Sequence, residues 1–235
     1  MRIRNAAELA AGLIYPERCV QCGAFGRALC LPCEAAMAPA TGSGRCGFCS
    51  ARWEETGNCP RCFQLQALDG VRAAFEMEGA ARKAVHELKY RFVRSLAPLM
   101  AEQMRKLQDA VAFDLALAVP LHRSRERERG FNQAALLLEH LGWPAAPGGL
   151  RRTRRTERQV GMHVGERRSN VLGAFAYEGA HLGGLTVAVV DDVVTTGATA
   201  NECARVLREH GARRVYAFGF ARASHPADDE LAILD

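Results

Sequence analysis

The residues richest in chemistry in this 235-residue chain lie between Val187 and Thr199, in the run VAVVDDVVTTGAT. An apolar strand ends there in two carboxylates, Asp191 and Asp192. A turn of Thr195, Thr196, Gly197, Ala198 and Thr199 then opens a helix. At the carboxyl end of a parallel strand the backbone emerges into the crevice where α/β proteins bind ligands. Loop N–H groups and hydroxyls can wrap a phosphate at that place, and the helix N-terminus adds favourable partial charge worth about 0.3 to 2 kcal/mol. Gly197 lets the backbone come close. The carboxylates would repel a phosphate set directly against them, so they are expected to face hydroxyls or a hydrated divalent cation. Phosphate on one side and hydroxyls on the other is the chemistry of a ribose phosphate. The sequence has no Gly-Lys dipeptide, which excludes a Walker A loop.

A second constellation is made of cysteines. Eight of the nine form four C-x-x-C pairs: Cys19/Cys22, Cys30/Cys33, Cys46/Cys49 and Cys59/Cys62. Two thiolates separated by two residues reach one metal from a single tight turn, and two such knuckles complete a tetrahedral site. Two structural zinc ions are therefore expected, the first four cysteines on one ion and the last four on the other. An interleaved pairing also satisfies the spacing. Iron–sulfur ligation or redox chemistry is the rival, and four evenly repeated knuckles with no open coordination position favour zinc. Residues 19–62 show little apolar periodicity, so they need such a staple, and metal binding supplies on the order of 10 kcal/mol or more per site. The rest of the chain contains only Cys203, which shares a helix face with Ala200 and Leu207 and reads as a small core residue.

The elements that must position these groups follow from periodicity. Residues 71–76 read as a strand and 79–92 as a helix, with a second helix near 95–109. Residues 115–119 form a short apolar strand, 131–141 a helix, 185–190 an apolar strand, 199–210 a helix closed by Gly211, and 215–220 a strand. Strands alternating with helices, each strand an uninterrupted apolar run, indicate a parallel α/β sheet flanked by helices. Residues 5–15 are expected to form a short amphipathic helix, 144–149 turns, and Arg151 to Asn170, polar and aperiodic, a long mobile loop. The composition divides the chain into a cysteine module over 1–66 and an α/β domain over 67–235.

Composition is globular, 49% hydrophobic and 24% charged. The opening residues are interrupted by Glu8 and run straight into the cysteines, unlike a signal peptide, and no apolar run approaches a membrane span. With reduced cysteines, this points to the cytoplasm and to no membrane insertion. The net charge of +5 is concentrated: between Leu121 and Asn170 eleven Arg face five Glu. Anionic ligands are expected to meet the protein there.

The Val187 to Thr199 run resembles the 5-phosphoribosyl pyrophosphate motif of type I phosphoribosyltransferases, matching it at every position. The resemblance implies that Thr195 to Thr199 hold the 5-phosphate and that Asp191 and Asp192 contact the ribose hydroxyls. With the cysteine module, almost the whole chain resembles the ComF family, a double zinc ribbon joined to a type I phosphoribosyltransferase-like domain and associated with natural competence. The same likeness extends to His86–Tyr90, Val119–Gln133 and Arg151–Phe175. By analogy Leu121, His122 and Arg123 form the pyrophosphate loop. Arg129, Asn132 and Gln133 then gather anion-binding groups at the next helix, and Arg154, Gln159, Arg167 and Asn170 close over the ligand from the long loop. Lys89 and Tyr90 stay outside the expected site, because such a pair on a helix is usually packing with a solvated tip.

The implied cofactors are two zinc ions and magnesium, and the implied ligand is 5-phosphoribosyl pyrophosphate or a related ribose phosphate. The implied reaction is phosphoribosyl transfer with loss of pyrophosphate, to an acceptor and with a general base that the sequence does not identify. Nucleobase specificity in this fold comes from a hood; the sequence shows no recognisable one, and the ribbon is expected to take its place. The alternative is a non-catalytic competence factor that binds single-stranded DNA, works with DNA-uptake proteins and uses the phosphoribosyl pocket as a sensor.

Overall fold

The computed structural model describes residues 16–55, 59–146, 148–154 and 171–223. In chain order its elements are α1 (Leu31–Ala35), β1 (Gly70–Glu76), α2 (Gly79–Tyr90), α3 (Leu96–Arg105), β2 (Leu115–Ala118), α4 (Arg123–Arg129), α5 (Gln133–Leu141), β3 (Gly148–Arg152), β4 (Phe175–Gly179), β5 (Thr186–Val194), α6 (Ala198–Glu209) and β6 (Arg214–Arg222). Four strands make one sheet in the order β1-β6-β5-β2, every neighbouring pair parallel. β3 and β4 form a separate antiparallel pair. The expected parallel α/β sheet flanked by helices is the fold of the chain.

Period-two alternation explains why the central strands read as continuous apolar runs. On β5, Ala188 and Val190 enter the layer packed by α2, α3 and α5, while Val187 and Val189 enter the layer packed by α6 and β4. Phe218 and Phe220 of β6 join the first layer; Val215 and Ala217 join the second. A strand covered on both faces has no solvent side on which to place polar residues.

The cysteine segment follows the same division. Cys19, Leu29 and Met37 belong to the first layer, whereas Cys49, Ala51, Cys59 and Leu65 belong to the second. The two halves of the segment thus pack on opposite faces of the sheet. The second half also shares backbone hydrogen bonds with β1, with Val71 N donating to Phe48 O at 2.6 Å and Ser50 Oγ donating to Val71 O at 2.8 Å.

Several elements, β3 and β4 among them, differ from the sequence expectation. β5 continues past Val190 through both aspartates to Val194, because its register with β6 persists from Asp191↔Gly219 to Val194↔Arg222. The expected loop from Arg151 begins inside a strand, since Arg151 and Arg152 pair with Ala176 and Phe175. α4, with the sequence RSRERER, carries no apolar stripe to reveal it and is held instead by caps at both ends. The expected helix over 5–15 lies outside the described residues. Among the described residues no helix is long and apolar enough to cross a membrane.

Phe218 is fully buried and stacks edge-on with Trp143 at 5.1 Å, with Phe113 at 5.5 Å. Truncating it leaves a cavity directly beneath the sheet. Phe218→Ala is expected to lower the unfolding free energy by about 3 to 5 kcal/mol, measured by urea denaturation.

Candidate functional site

The acidic pair lies inside the last third of β5, and consecutive residues of a strand point to opposite faces. Asp192, on the face of Ala188 and Val190, meets Lys89 of α2, with Nζ to Oδ2 at 3.2 Å and both side chains 7% exposed. Asp191 points to the other face, where its charge is felt by Arg152 of β3 and Cys203 of α6. Burial, and then the neighbouring Asp192 carboxylate, push the pKa of Asp191 well above the ordinary carboxylate value, with Lys89 opposing. Burial pulls Arg152 below its usual value, and Arg125 acts in the same direction. Two acids on a covered strand end are therefore balanced by cations from two different elements.

Thr195, Thr196 and Gly197 turn the chain from β5 into α6, whose first residues are Ala198 and Thr199. Gly197 has φ +81°, a conformation that favours glycine, and caps the helix. Its lack of a side chain has a second use: a Cβ there would stand 2.7 Å from Leu65 Cδ2. Thr196 Oγ1 accepts from Ala198 N at 3.3 Å, which tightens the turn.

The neighbouring strand brings the second loop alongside. β2 pairs with β5 through Ala118↔Val190, and Val119 N donates to Val190 O at 2.9 Å. Leu121, His122 and Arg123 thus leave β2 beside the point where β5 reaches its aspartates. His122 caps α4, its Nδ1 accepting from Ser124 N at 3.2 Å. Asn132 caps α5 by accepting from Ala134 N and Ala135 N, and its Nδ2 donates to Val119 O at 2.9 Å, so it also fastens the end of β2. Gln133 is buried at the first position of α5. Arg129 ends α4 with its guanidinium 5.5 Å from the Tyr90 ring. Arg154 Nη2 donates to Leu172 O at 3.1 Å. Gln159, Arg167 and Asn170 lie outside the described residues.

The cysteines form two groups, Cys19, Cys22, Cys30 and Cys33, and Cys46, Cys49, Cys59 and Cys62, with all ligand atoms of a group within 4.8 Å of one another. The sequential grouping, not the interleaved one, is the structure. Sulfur separations of 3.6 Å between Cys22 and Cys30, 3.3 Å between Cys46 and Cys62, and 3.8 Å between Cys49 and Cys59 sit near the edge of about 3.8 Å expected for a tetrahedron with metal–sulfur bonds of about 2.3 Å. The thiol chemistry fits the same ion. Against the raising effect of burial, backbone donors from Cys30, Cys22 and Gln21 bring Cys19 down to about 6. Hydrogen bonding with Cys30, with burial next, pushes Cys33 up to about 12. Four crowded thiols resist ionising together without a cation, and a zinc ion would supply one to each group.

Two cations of this site escape a reading of the sequence. Nothing local distinguishes Lys89, a lysine that tertiary packing buries, from one at a solvated helix tip. Arg152 falls in a stretch that reads as loop. An antiparallel partner with Phe175 opposite Arg152 could have been sought downstream, but the intervening residues carry no turn signal short enough to link them.

The parallel sheet flanked by helices, with an acid pair and a Thr-Thr-Gly-Ala-Thr turn at the end of its β5 strand, defines an α/β protein that carries two four-cysteine groups. No family model matches the sequence. The chain is similar to Competence protein F of Haemophilus influenzae, 37% identical over 124 residues, which cover 50% of this chain and 52% of that protein. It is also similar to DNA utilization protein YhgH of Escherichia coli O157:H7, 31% identical over 59% of this chain and 65% of that protein. With Competence protein ComFC of Streptococcus pneumoniae it is 27% identical over 75% of this chain and 87% of that protein. The matched stretch therefore spans between half and two thirds of the first two relatives. The chain is thus similar, over half to three quarters of its own length, to proteins named for competence and DNA utilization.

Two outcomes follow from the charges at the end of β5. A carboxyl whose pKa is raised on folding destabilises the fold progressively as pH climbs from its ordinary value toward the raised one. Asp191→Asn is therefore expected to raise the melting temperature at neutral pH in ligand-free buffer, with the gain vanishing as pH falls toward 3.8, the ordinary value; scanning fluorimetry across pH reads it. Lys89→Met removes the cation from a buried pair and is expected to cost about 3 to 5 kcal/mol in chemical denaturation.

Proposed function

We propose that this protein binds 5-phosphoribosyl pyrophosphate, or a related ribose 5-phosphate group, in the crevice where β2 and β5 end. The observation that carries the reading is the side-by-side placement of two strand ends, β5 carrying the acid pair before it turns through Thr195–Thr199, and β2 leading into the His122–Arg123 loop. In this reading the Thr195–Thr199 turn takes the 5-phosphate, Asp191 and Asp192 orient the ribose hydroxyls, and Leu121, His122 and Arg123 face the pyrophosphate. Lys89 Nζ, 3.2 Å from Asp192 Oδ2, fixes the carboxylate in place to accept a hydrogen bond from a ribose hydroxyl. Arg129, Asn132 and Gln133 support the pyrophosphate side, and Arg154, with Gln159, Arg167 and Asn170, closes the site.

Magnesium bound with the pyrophosphate would neutralise its charge as the bond to the ribose C1 lengthens. The chain's own residues would position the sugar and exclude water while a nucleophile displaces pyrophosphate. The acceptor is open, and so is the acid–base partner. The relatives named for competence and DNA utilization support a role in handling incoming DNA, and the paired cysteine knuckles favour a reducing compartment, the cytoplasm.

A specific feature also supports the second reading, single-stranded DNA binding. An open groove of about 520 Å³ is lined by Gln21, Gly79, Arg82, Lys83, His86, Glu87, Tyr90 and Arg91, with Lys83 paired to Glu87 at 3.1 Å. Its cations with an exposed aromatic ring suit a phosphate backbone and a stacked base.

Calorimetry distinguishes the two. Titration with 5-phosphoribosyl pyrophosphate and magnesium is expected to give saturable heat that weakens at least tenfold, about 1.4 kcal/mol, in Asp191→Asn/Asp192→Asn. Equal heats for both proteins would defeat the phosphoribosyl reading. Single-stranded DNA, followed by fluorescence anisotropy, is expected to bind more weakly as salt rises, with a shallower slope in Arg82→Ala/Arg91→Ala. A flat isotherm at low salt would defeat the DNA reading.

A further inference from the structure

Arg222 is the last residue of β6 and has no solvent exposure. Its guanidinium joins two parts of the molecule far apart in sequence. Nε donates to Cys49 O at 2.9 Å, inside the second four-cysteine group. Nη1 donates to Val194 O at 2.8 Å and to Thr195 O, the two carbonyls that lead into the phosphate turn. The turn is held from the same side by two further contacts. Leu65, whose N donates to Cys62 O at 2.9 Å, fills the space where Gly197 has no side chain. Asn201 Oδ1, in the first turn of α6, accepts from Ala67 N at 2.9 Å. The first four-cysteine group packs in the layer on the other face of the sheet.

We infer that Arg222 is a positioning residue through which the second four-cysteine group, and not the first, sets the conformation of the Thr195–Thr199 turn. The inference rests on the reading of that turn as a phosphate site. The carbonyls that Arg222 grips cannot rotate without giving up a bond to a buried cation, so the direction of the Thr195 peptide is tied to the position of Cys49. When zinc holds Cys46, Cys49, Cys59 and Cys62 in a tetrahedron, Cys49 O is fixed, and Arg222 and Leu65 press the turn from fixed points. When the group opens, both supports loosen together. Such coupling is reciprocal: a ligand that orders the turn must also tighten the metal group behind it. The ribbon then does more than fold itself, since it makes phosphate binding conditional on metal loading and on reduced thiols.

Reciprocity supplies a test that needs no enzymatic activity. Zinc-loaded full-length protein is exposed to a chromogenic chelator with and without saturating ribose 5-phosphate. An alkylating pulse followed by peptide mass mapping reports which cysteines open. Ribose 5-phosphate is expected to slow the opening of Cys46, Cys49, Cys59 and Cys62 by about fivefold or more and to leave Cys19, Cys22, Cys30 and Cys33 unchanged. In Arg222→Lys, which keeps the charge and loses the fork, the protection is expected to shrink while the first group behaves as in wild type. If calorimetry shows ribose 5-phosphate bound and the second group opens at an unchanged rate, the coupling is wrong and the phosphate site stands. Equal protection of both groups also overturns it, because general stabilisation then suffices. No binding heat at all removes the phosphate reading and this inference with it.

Discussion

Charge compensation at the end of β5 is the constraint on which the rest of the structure depends. Two adjacent carboxylates on a strand covered on both faces cannot both ionise unless cations reach them from opposite sides. α2 supplies Lys89 on one side, and the β3–β4 pair brings Arg152 toward the other. The helix after β1 must therefore lie over β5, which the strand order β1-β6-β5-β2 permits only if the chain crosses the sheet between β1 and β2. The acids fix the packing around them as much as the apolar residues do. Burial and the neighbouring Asp192 carboxylate nonetheless leave Asp191 with an elevated proton affinity, the state of a group that gains from a hydroxyl donor or a cation.

The cysteine segment answers a different constraint. It has too few apolar residues for a core of its own, yet it is not a bead on a linker. Its halves insert Leu29 and Met37 into one layer of the domain and Ala51 and Leu65 into the other. Arg45 and Glu76 form an ion pair, and Arg222 reaches Cys49 from the end of β6, so the second half is fastened beside the turn that follows β5. Residues on both sides of the compositional division at residue 66, the cysteine groups suited to a metal and the apolar runs that pack by burial, share a single packed interior.

What could be read from the sequence was what local physics fixes. Knuckle spacing revealed the two four-cysteine groups, because two thiolates must come from one turn. The apolar runs at 115–119, 185–190 and 215–220 marked the three strands that β2, β5 and β6 contain, because strands buried on both faces tolerate no polar alternation. The extension of β5 through Asp191 and Asp192 was hidden, since carboxylates look like the end of a strand when their counter-charges are distant in sequence. β3 begins with Gly148 and Gly149, which read as a turn, and α4 has no apolar face. Lys89, Arg152 and Arg222 share one feature: each is a cation that ordinary statistics place in water, buried or half-buried here by partners distant in sequence. For Arg222 those partners lie 28 and 173 residues away, separations no local pattern encodes.

The central claim is that the turn after β5 holds a sugar-linked phosphate while the paired aspartates attend to the sugar. A crystal structure of the protein soaked with 5-phosphoribosyl pyrophosphate and magnesium tests it most directly. The account predicts the 5-phosphate against the amides and hydroxyls of Thr195 to Thr199, ribose hydroxyls within hydrogen-bond reach of Asp191 and Asp192, and pyrophosphate toward His122 and Arg123. Ligand density seated elsewhere, or a turn occluded by Leu65 with its amides turned away from the crevice, would contradict it.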